Sequence, residues 1–419
     1  MNMETSESNE PLEGAAEGGA SNSAYFTSYG DMSVHELMLK DKPRTLAYKN
    51  FIEKNSHLFK DKTVLDVGAG TGILSMFAAS AGAKVVYAVE ASEMANACKK
   101  IVDLNKNILA GKVEVIHGRV ESVTLPVDKV DIIISEWMGF YLFHESMLDS
   151  VIVARDRWLA PGGLMLPSVA TLYLMPVAMD DYIWEHFQFW ENVYGFDLSP
   201  LKSSAMMNAI QQPVITNLPA DEKLAEPQTV VDLNLYETTQ EDVEQMYAKL
   251  SFNIVMDGTV HGFASWFDVD FQGPVGTSPK DSCTSVTLST APEAAPTHWK
   301  QTVFFLPSAF TVQEGEIITC KLELSQDQAN KRLYNISLEM VDNGEVSEDD
   351  FDTGDEEEGP EHPIPCTCGA SRCQLINAIM DKYECEHAQL EQEAEQVGVS
   401  AEREAAKEMM REEFSVSDS

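Results

Sequence analysis

The sequence predicts an α/β domain on a parallel sheet, followed by a mostly antiparallel β domain. Three observations predict it. Between residue 62 and about residue 165 short apolar runs alternate with helical patterns, and strand–helix–strand units of this length give parallel sheets with right-handed crossovers. A glycine-rich turn, "VLDVGAGTG" at 64–72, lies between the first such strand and the first such helix. After "LPSVATLYLMPV" the helical period fades, and strand-like runs follow one another between turn residues.

Residues 1–22 are small and acidic and read as a disordered tail. Order is expected from residue 23, where Phe26, Val34, Leu37, Met38, Leu46 and Phe51 recur at about helical spacing and Pro43 interrupts. Strands are expected at "TVLDVG", "KVVYAVEA", "KVEVIHG" and "VDIIISE", with helices at "ILSMFAASAG", "MANACKKIVDLN" and "ESMLDSVIVARDRWL". Gly82 is placed to end the first of these helices and "APGG" at 160–163 to stop the last, so the α/β domain (23–165) closes there. The β domain (166–343) is expected to use "AKLSFNIVM", "HGFASWFDVDF", "SVTLST", "KQTVFFL", "EIITCKLELS" and "RLYNISLEMV". Within it, residues 180–205 are aromatic at helical spacing and too apolar to stand bare, so they are either core or a partner-binding arm. Residues 344–419 form an acidic extension, Glu-rich and helical in pattern over 374–414.

Composition narrows the function. At 419 residues and 44% hydrophobic content the chain can bury a sizeable core in two domains. No apolar run reaches the ~18 residues of a membrane helix, and the start carries no signal-peptide pattern, so nucleus or cytoplasm is expected and a membrane is not. Seven scattered cysteines, an odd number, fit reduced thiols. The net charge of −39 is spread over both folded part and extension; it argues against direct nucleic-acid binding and for basic, Arg- or Lys-rich partners. Solubility alone is the plainer account of the same charge.

Gly68, Gly70 and Gly72 permit a tight turn and close backbone approach by a ligand. Glu90 ends the second strand, where an acid can accept hydrogen bonds from both hydroxyls of a ribose. Together they favour a nucleoside cofactor, with NAD and S-adenosylmethionine both admissible; an ordinary strand-to-helix turn is the bland alternative. In "SEWMGFYLFHESMLDS" two acids, Glu136 and Glu145, stand nine positions apart among Trp, Met, Phe, Tyr and Leu. Glu136 falls at the carboxyl end of the fourth strand, and the segment between the acids is long enough to loop back. Buried carboxylates need a cation, and a planar guanidinium matches two of them better than an ammonium does. A substrate arginine is the expected cation.

"VLDVGAGTGILS", "SEWMG" followed by "ESMLDSV", and "THWKQTVF" at 297–304 together resemble the protein arginine N-methyltransferases, type I, over about residues 24–340. "VHGFASWFDV" and His144 look more like the nuclear branch of that family. The resemblance implies a Rossmann-like class I methyltransferase domain, a β-barrel domain and a helical dimerisation arm at about 180–205 in a homodimer. It implies S-adenosyl-L-methionine as methyl donor and Arg-rich proteins, such as histone tails or Gly-Arg-rich chains, as substrates, giving mono- and asymmetric dimethylarginine. It places the cofactor against His35, Arg44, Asp66, Gly68, Gly70, Gly72, Glu90, Val120 and Glu121, with Arg44 on the methionine carboxylate and Glu90 on the ribose. Tyr25 and Tyr29 would belong to a helix closing over it. Met38 and Met147 would flank the substrate arginine, with Tyr29 and Trp299 beside it. Glu136, Glu145 and His298 would be catalytic, and either Glu145 or His298 would take the departing proton.

The readings set against this are an NAD-dependent oxidoreductase, which leaves Glu136, Glu145 and His298 unexplained, and a scaffold that binds basic partners without chemistry. In the extension, "CTCGASRC" resembles the zinc-binding cysteine knuckle that follows SET domains. Cys366, Cys368 and Cys373 would then take a fourth ligand from Cys385, or else from His387 or His362. Three idle thiols are the simpler reading, and no metal is assigned.

Overall fold

The computed structural model describes residues 25–273 and 283–341. The expectations for the amino-terminal tail and the acidic extension, including Cys366, Cys368, Cys373 and Cys385, lie outside the described residues.

Five parallel strands form the first sheet: β1 (Thr63–Val67), β2 (Val85–Glu90), β3 (Val113–His117), β4 (Val130–Ser135) and β5 (Leu159–Leu166), in the order β3-β2-β1-β4-β5. Helices α1 (Met32–Lys40), α2 (Lys42–Lys54), α3 (Ile73–Ser80), α4 (Met94–Leu104) and α5 (Met147–Trp158) accompany it. Strands covered on both faces read as continuous apolar runs. Accordingly Val64, Leu65 and Val67 of β1 and Ile132, Ile133 and Ile134 of β4 are all buried. The order reverses between β1 and β4, which opens a crevice beyond their carboxyl ends. Gly82 follows α3 at φ +106°, donating to Ala79 as the helix unwinds.

β5 departs from the expected layout. Helix α5 does stop at Trp158, but "APGG" lies inside a fifth strand. Its pairing with β4 jumps from Val130↔Leu159 to Ile132↔Leu164. The extra residues, with Gly162 at φ +74°, bulge outward and interrupt the apolar alternation that marks a strand.

The β domain holds nine strands among the described residues. β6 (Val169–Val177), β7 (Val214–Thr216), β8 (Gln228–Asn234), β10 (Gly258–Phe271) and β12 (Gln301–Val312) run β7-β12-β10-β6-β8, with β11 (Val286–Ser289) on β10. β9 (Gln245–Asn253), β13 (Ile317–Gln326) and β14 (Tyr334–Val341) form a second antiparallel sheet in the order β14-β13-β9. The sheets share the core of the barrel domain: Phe252 of β9 and Phe263 of β10 meet with ring centroids 5.7 Å apart. β7 and β8 escape the sequence pattern because one has three residues and the other is largely polar with no regular apolar alternation.

Between β6 and β7, α6 (Asp180–His186) and α7 (Lys202–Gln211) flank two 3-10 turns. This arm is two-sided. Phe187 and Ala209 are buried against the barrel, and Tyr182 lies 5.4 Å from Phe305, whereas Trp184, Phe196 and Tyr194 are exposed, Tyr194 by 94%. Barrel and α/β domain are joined by specific contacts. Tyr48 stacks edge-on to Phe271 at 4.6 Å, and the Asn55 side chain bonds the backbone of Thr284 in both directions.

Candidate active site

A cavity of about 340 Å³ opens at the carboxyl ends of β1, β2 and β4. Its wall includes Tyr29, His35, Met38, Arg44, Gly68, Gly70, Glu90, Val120, Glu121, Glu136, Glu145, Met147, His298 and Trp299. Asp66 and Gly72 lie behind that wall rather than on it.

The glycine turn is a close-approach structure. Gly68, Gly70 and Gly72 have φ of +73°, +55° and +83°, where a side chain is strained. A Cβ on Gly68 would fall 2.3 Å from the Met147 methyl carbon, and one on Gly72 2.8 Å from Cys98 Sγ. Glu90 fastens the turn: its Oε2 accepts from Gly70 N–H at 2.7 Å and its Oε1 from Ser92 N–H at 2.7 Å. Beneath it, Asp66 is fully buried. Its Oδ2 accepts from Ser75 at 2.6 Å while Oδ1 has no partner, and burial, seconded by the charge of Glu90, pushes its pKa up to about 7. His35 Nε2 meets the Tyr29 carbonyl at 2.8 Å, and Glu121 accepts from Ser150 at 2.6 Å.

The two acids come together as expected from their spacing, on one cavity. Between them Gly139 and Leu142 exchange backbone bonds at 3.0 and 3.1 Å, and the chain turns through Tyr141 and Leu142 at positive φ. A Cβ on Gly139 would lie 2.0 Å from the His144 carbonyl oxygen, so this return requires glycine. Glu136 is ion-paired with Arg44, whose Nε and Nη2 reach one carboxylate oxygen at 2.8 and 2.5 Å. Arg44 thus joins the amino-terminal helices to the acid at the end of β4. A buried carboxylate is costly alone, and this guanidinium is the cation that meets it. Burial alone would lower the Arg44 pKa; the charge and hydrogen bonds of Glu136 outweigh it and raise it. Glu145 accepts from Tyr29 Oη at 2.6 Å. Burial raises its pKa and the negative charge of Glu136 adds to this, against the opposing pull of Tyr29 and Arg332.

His298 is aimed by Asp41, whose Oδ2 lies 2.6 Å from the ring Nδ1 and accepts from the His298 backbone N–H at 2.8 Å. Asp41 also caps α2 through Arg44 N–H. These bonds, His298's foremost, hold the Asp41 carboxyl below the usual range despite burial. Trp299 is nearly enclosed, and its Nε1 donates to Met138 O at 2.9 Å, so it props the acid loop from behind. Sequence reasoning passed over Asp41 and Arg332. An Asp two residues before a proline is a legible helix cap, but its partner lies 257 positions on; nothing local marks Arg332.

A doubly wound sheet with a glycine turn, an acid at the end of β2 and a paired-acid pocket beside them define a class I, S-adenosylmethionine-dependent methyltransferase. Family models agree: a "Methyltransferase domain" matches residues 64–163 and an "Arginine methyltransferase oligomerization subdomain" residues 168–344. The chain is 42% identical over 347 residues to "Probable protein arginine N-methyltransferase 6" of Arabidopsis thaliana, covering 77% of this chain and 79% of that one. It is 44% identical over 321 residues to "Protein arginine N-methyltransferase 1" of Chlamydomonas reinhardtii, covering 77% and 89%. Among solved structures, a "Trypanosoma brucei PRMT1 enzyme-prozyme heterotetrameric complex with AdoHcy" superposes with a TM-score of 0.67 at 34% identity, covering 76% of this chain and 97% of that one. The chain belongs to the protein arginine N-methyltransferase family.

Proposed function

We propose that this protein arginine N-methyltransferase acts on Arg-rich basic proteins, histone tails and Gly-Arg-rich chains among them, and forms mono- and asymmetric dimethylarginine. One observation carries the reading: a guanidinium, that of Arg44, already sits on Glu136 in a cavity whose second acid, Glu145, faces the same space.

The residues present fit the methyl donor. The glycine turn, which leaves no room for a Cβ at Gly68, and Glu90, Val120 and Glu121 along the wall would hold its nucleoside end, with Asp66 supporting the turn from beneath and Arg44 at the other end. S-adenosylmethionine supplies an electrophilic methyl group there. The chain's own residues position the acceptor. Glu136 and Glu145 hold the guanidinium by charge-assisted hydrogen bonds and draw its positive charge toward the nitrogens they touch, leaving a terminal nitrogen better able to react. Tyr29 keeps Glu145 turned inward by its 2.6 Å bond. A guanidinium keeps its proton at any working pH, so one proton must leave as the nitrogen is methylated. We assign its acceptor to His298: Nδ1 faces the Asp41 carboxylate and so carries a proton, leaving Nε2 free to accept.

Because the oligomerisation subdomain is present and Trp184, Tyr194 and Phe196 stand exposed on the arm, a second copy of this chain is the partner we assign to that surface. The test of the product is methylation of a Gly-Arg-rich peptide and of histones, followed by hydrolysis and separation of the methylarginines. Asymmetric dimethylarginine supports the reading; symmetric product alone would overturn it.

A further inference from the structure

Glu145 and Ser146 are consecutive non-glycine residues at φ +76° and +48°. Such conformations cost about 1–2 kcal/mol each and persist only where the surroundings impose them. The surroundings are the β13–β14 turn of the barrel domain, residues 327–333. Glu145 N–H donates to Arg332 O at 2.8 Å, and Arg332 Nη1 donates back to Glu145 O at 2.9 Å. Gln326, at the end of β13, reaches Ser146 Oγ at 2.8 Å and Asp149 at 2.9 Å. The turn is itself stiff: Asp327 and Leu333 are bonded at 2.9 Å, and the Asp327 side chain accepts from Asn330 N–H at 2.6 Å.

The same Arg332 guanidinium lies over the Tyr25 ring, 3.6 Å from its centroid, and 5.3 Å from that of Phe26. Tyr25 opens the amino-terminal helical turn that carries Tyr29, the donor to Glu145. One side chain thus grips the main chain of a catalytic acid and the segment that covers the cavity. We infer that Arg332 is a positioning residue that couples closure of the amino-terminal segment over the cofactor to the alignment of Glu145. The inference rests on the methyltransferase reading. Cation–π contact and the bond to Glu145 O form together, so cofactor that orders the cover also fixes the acid, and a displaced cover loosens it.

The test is a double-mutant cycle of Arg332→Ala and Tyr25→Leu on the full chain. It reads S-adenosylhomocysteine affinity by calorimetry, kcat and KM for an Arg-rich peptide, and Tm, with Lys331→Ala as the neighbouring control. The expected result is that Arg332→Ala lowers kcat about ten-fold or more. Both single variants weaken cofactor binding several-fold, and the double variant is little worse than the weaker single one. Arg332→Lys, which keeps the charge but not the planar face, recovers only part. Should Arg332→Ala not fold, Arg332→Lys with Tyr25→Leu runs the same cycle. Additive losses, or a lower Tm with unchanged kcat and cofactor affinity, would overturn the inference. Failure of the wild type to methylate arginine would instead overturn the reading beneath it.

Discussion

The glycine turn and the acid loop line one cavity, yet they are built in opposite ways. The turn is local: Gly68, Gly70 and Gly72 are held by Glu90 at the end of the neighbouring strand and by Met147 and Cys98 packed behind. The acid loop is assembled from afar. Arg44 and Tyr29 come from the amino-terminal helices, Trp299 from the segment before β12, and Arg332 and Gln326 from the last hairpin of the barrel. The glycine turn can therefore form within the sheet and its crossover helices, whereas the acid loop is set only once the barrel and the amino-terminal helices have docked.

Four variants sharpen or break that contrast. The largest effect is expected from Glu136→Gln, which removes the charge facing both Arg44 and the substrate. Removing a preorganised charge that stabilises the reacting guanidinium costs about 3–4 kcal/mol of transition-state stabilisation, so kcat/KM should fall by about a thousand-fold while S-adenosylhomocysteine still binds. Equal loss of both would mean the two halves are not separable. Next, Asp41→Asn should reduce kcat by about a hundred-fold, the scale of general-base catalysis, with little change in cofactor affinity. An unchanged pH–rate profile would remove His298 as the proton acceptor.

The third concerns stability. The folded pKa of Asp66 is raised from 3.8 to about 7. Its stabilising effect is thus complete below the ordinary carboxylate range and is lost as pH rises through 7, on the order of 4 kcal/mol in all. Urea midpoints of the wild type should fall between about pH 4 and 7 and level off above, and Asp66→Asn should flatten that slope; parallel slopes would contradict it. The smallest effect is expected from Trp299→Phe. Losing the bond to Met138 O should cost about 1 kcal/mol of stability and a few-fold in kcat, leaving cofactor affinity alone.

The same contrast decides what could be read beforehand. β1, β2 and β4 announce themselves as apolar runs, and the glycine turn and Glu90 follow from their place on those strands. The nine-residue spacing of Glu136 and Glu145 sufficed to pair them, because the return of the loop is local. β5 was hidden by the bulge at "APGG", and β7 and β8 by shortness and polarity. For residues 180–205 the pattern left core and arm open, since Phe187 and Tyr194 are alike in sequence and opposite in burial. Asp41 with His298, and Arg332 with Glu145, join residues far apart in the chain, and no periodicity carries such pairs. Arg44 was expected from the family resemblance to face a cofactor carboxylate; its bond to Glu136 joins residues 92 positions apart and had no sequence signal.

The most direct test is transfer of a labelled methyl group from S-adenosylmethionine to an Arg-rich peptide, beside the same peptide with every arginine changed to lysine. Label on the arginine peptide alone, abolished by Glu136→Gln, is the predicted result. Equal labelling of both peptides, or labelling that survives Glu136→Gln, would contradict a pocket in which two carboxylates select a guanidinium.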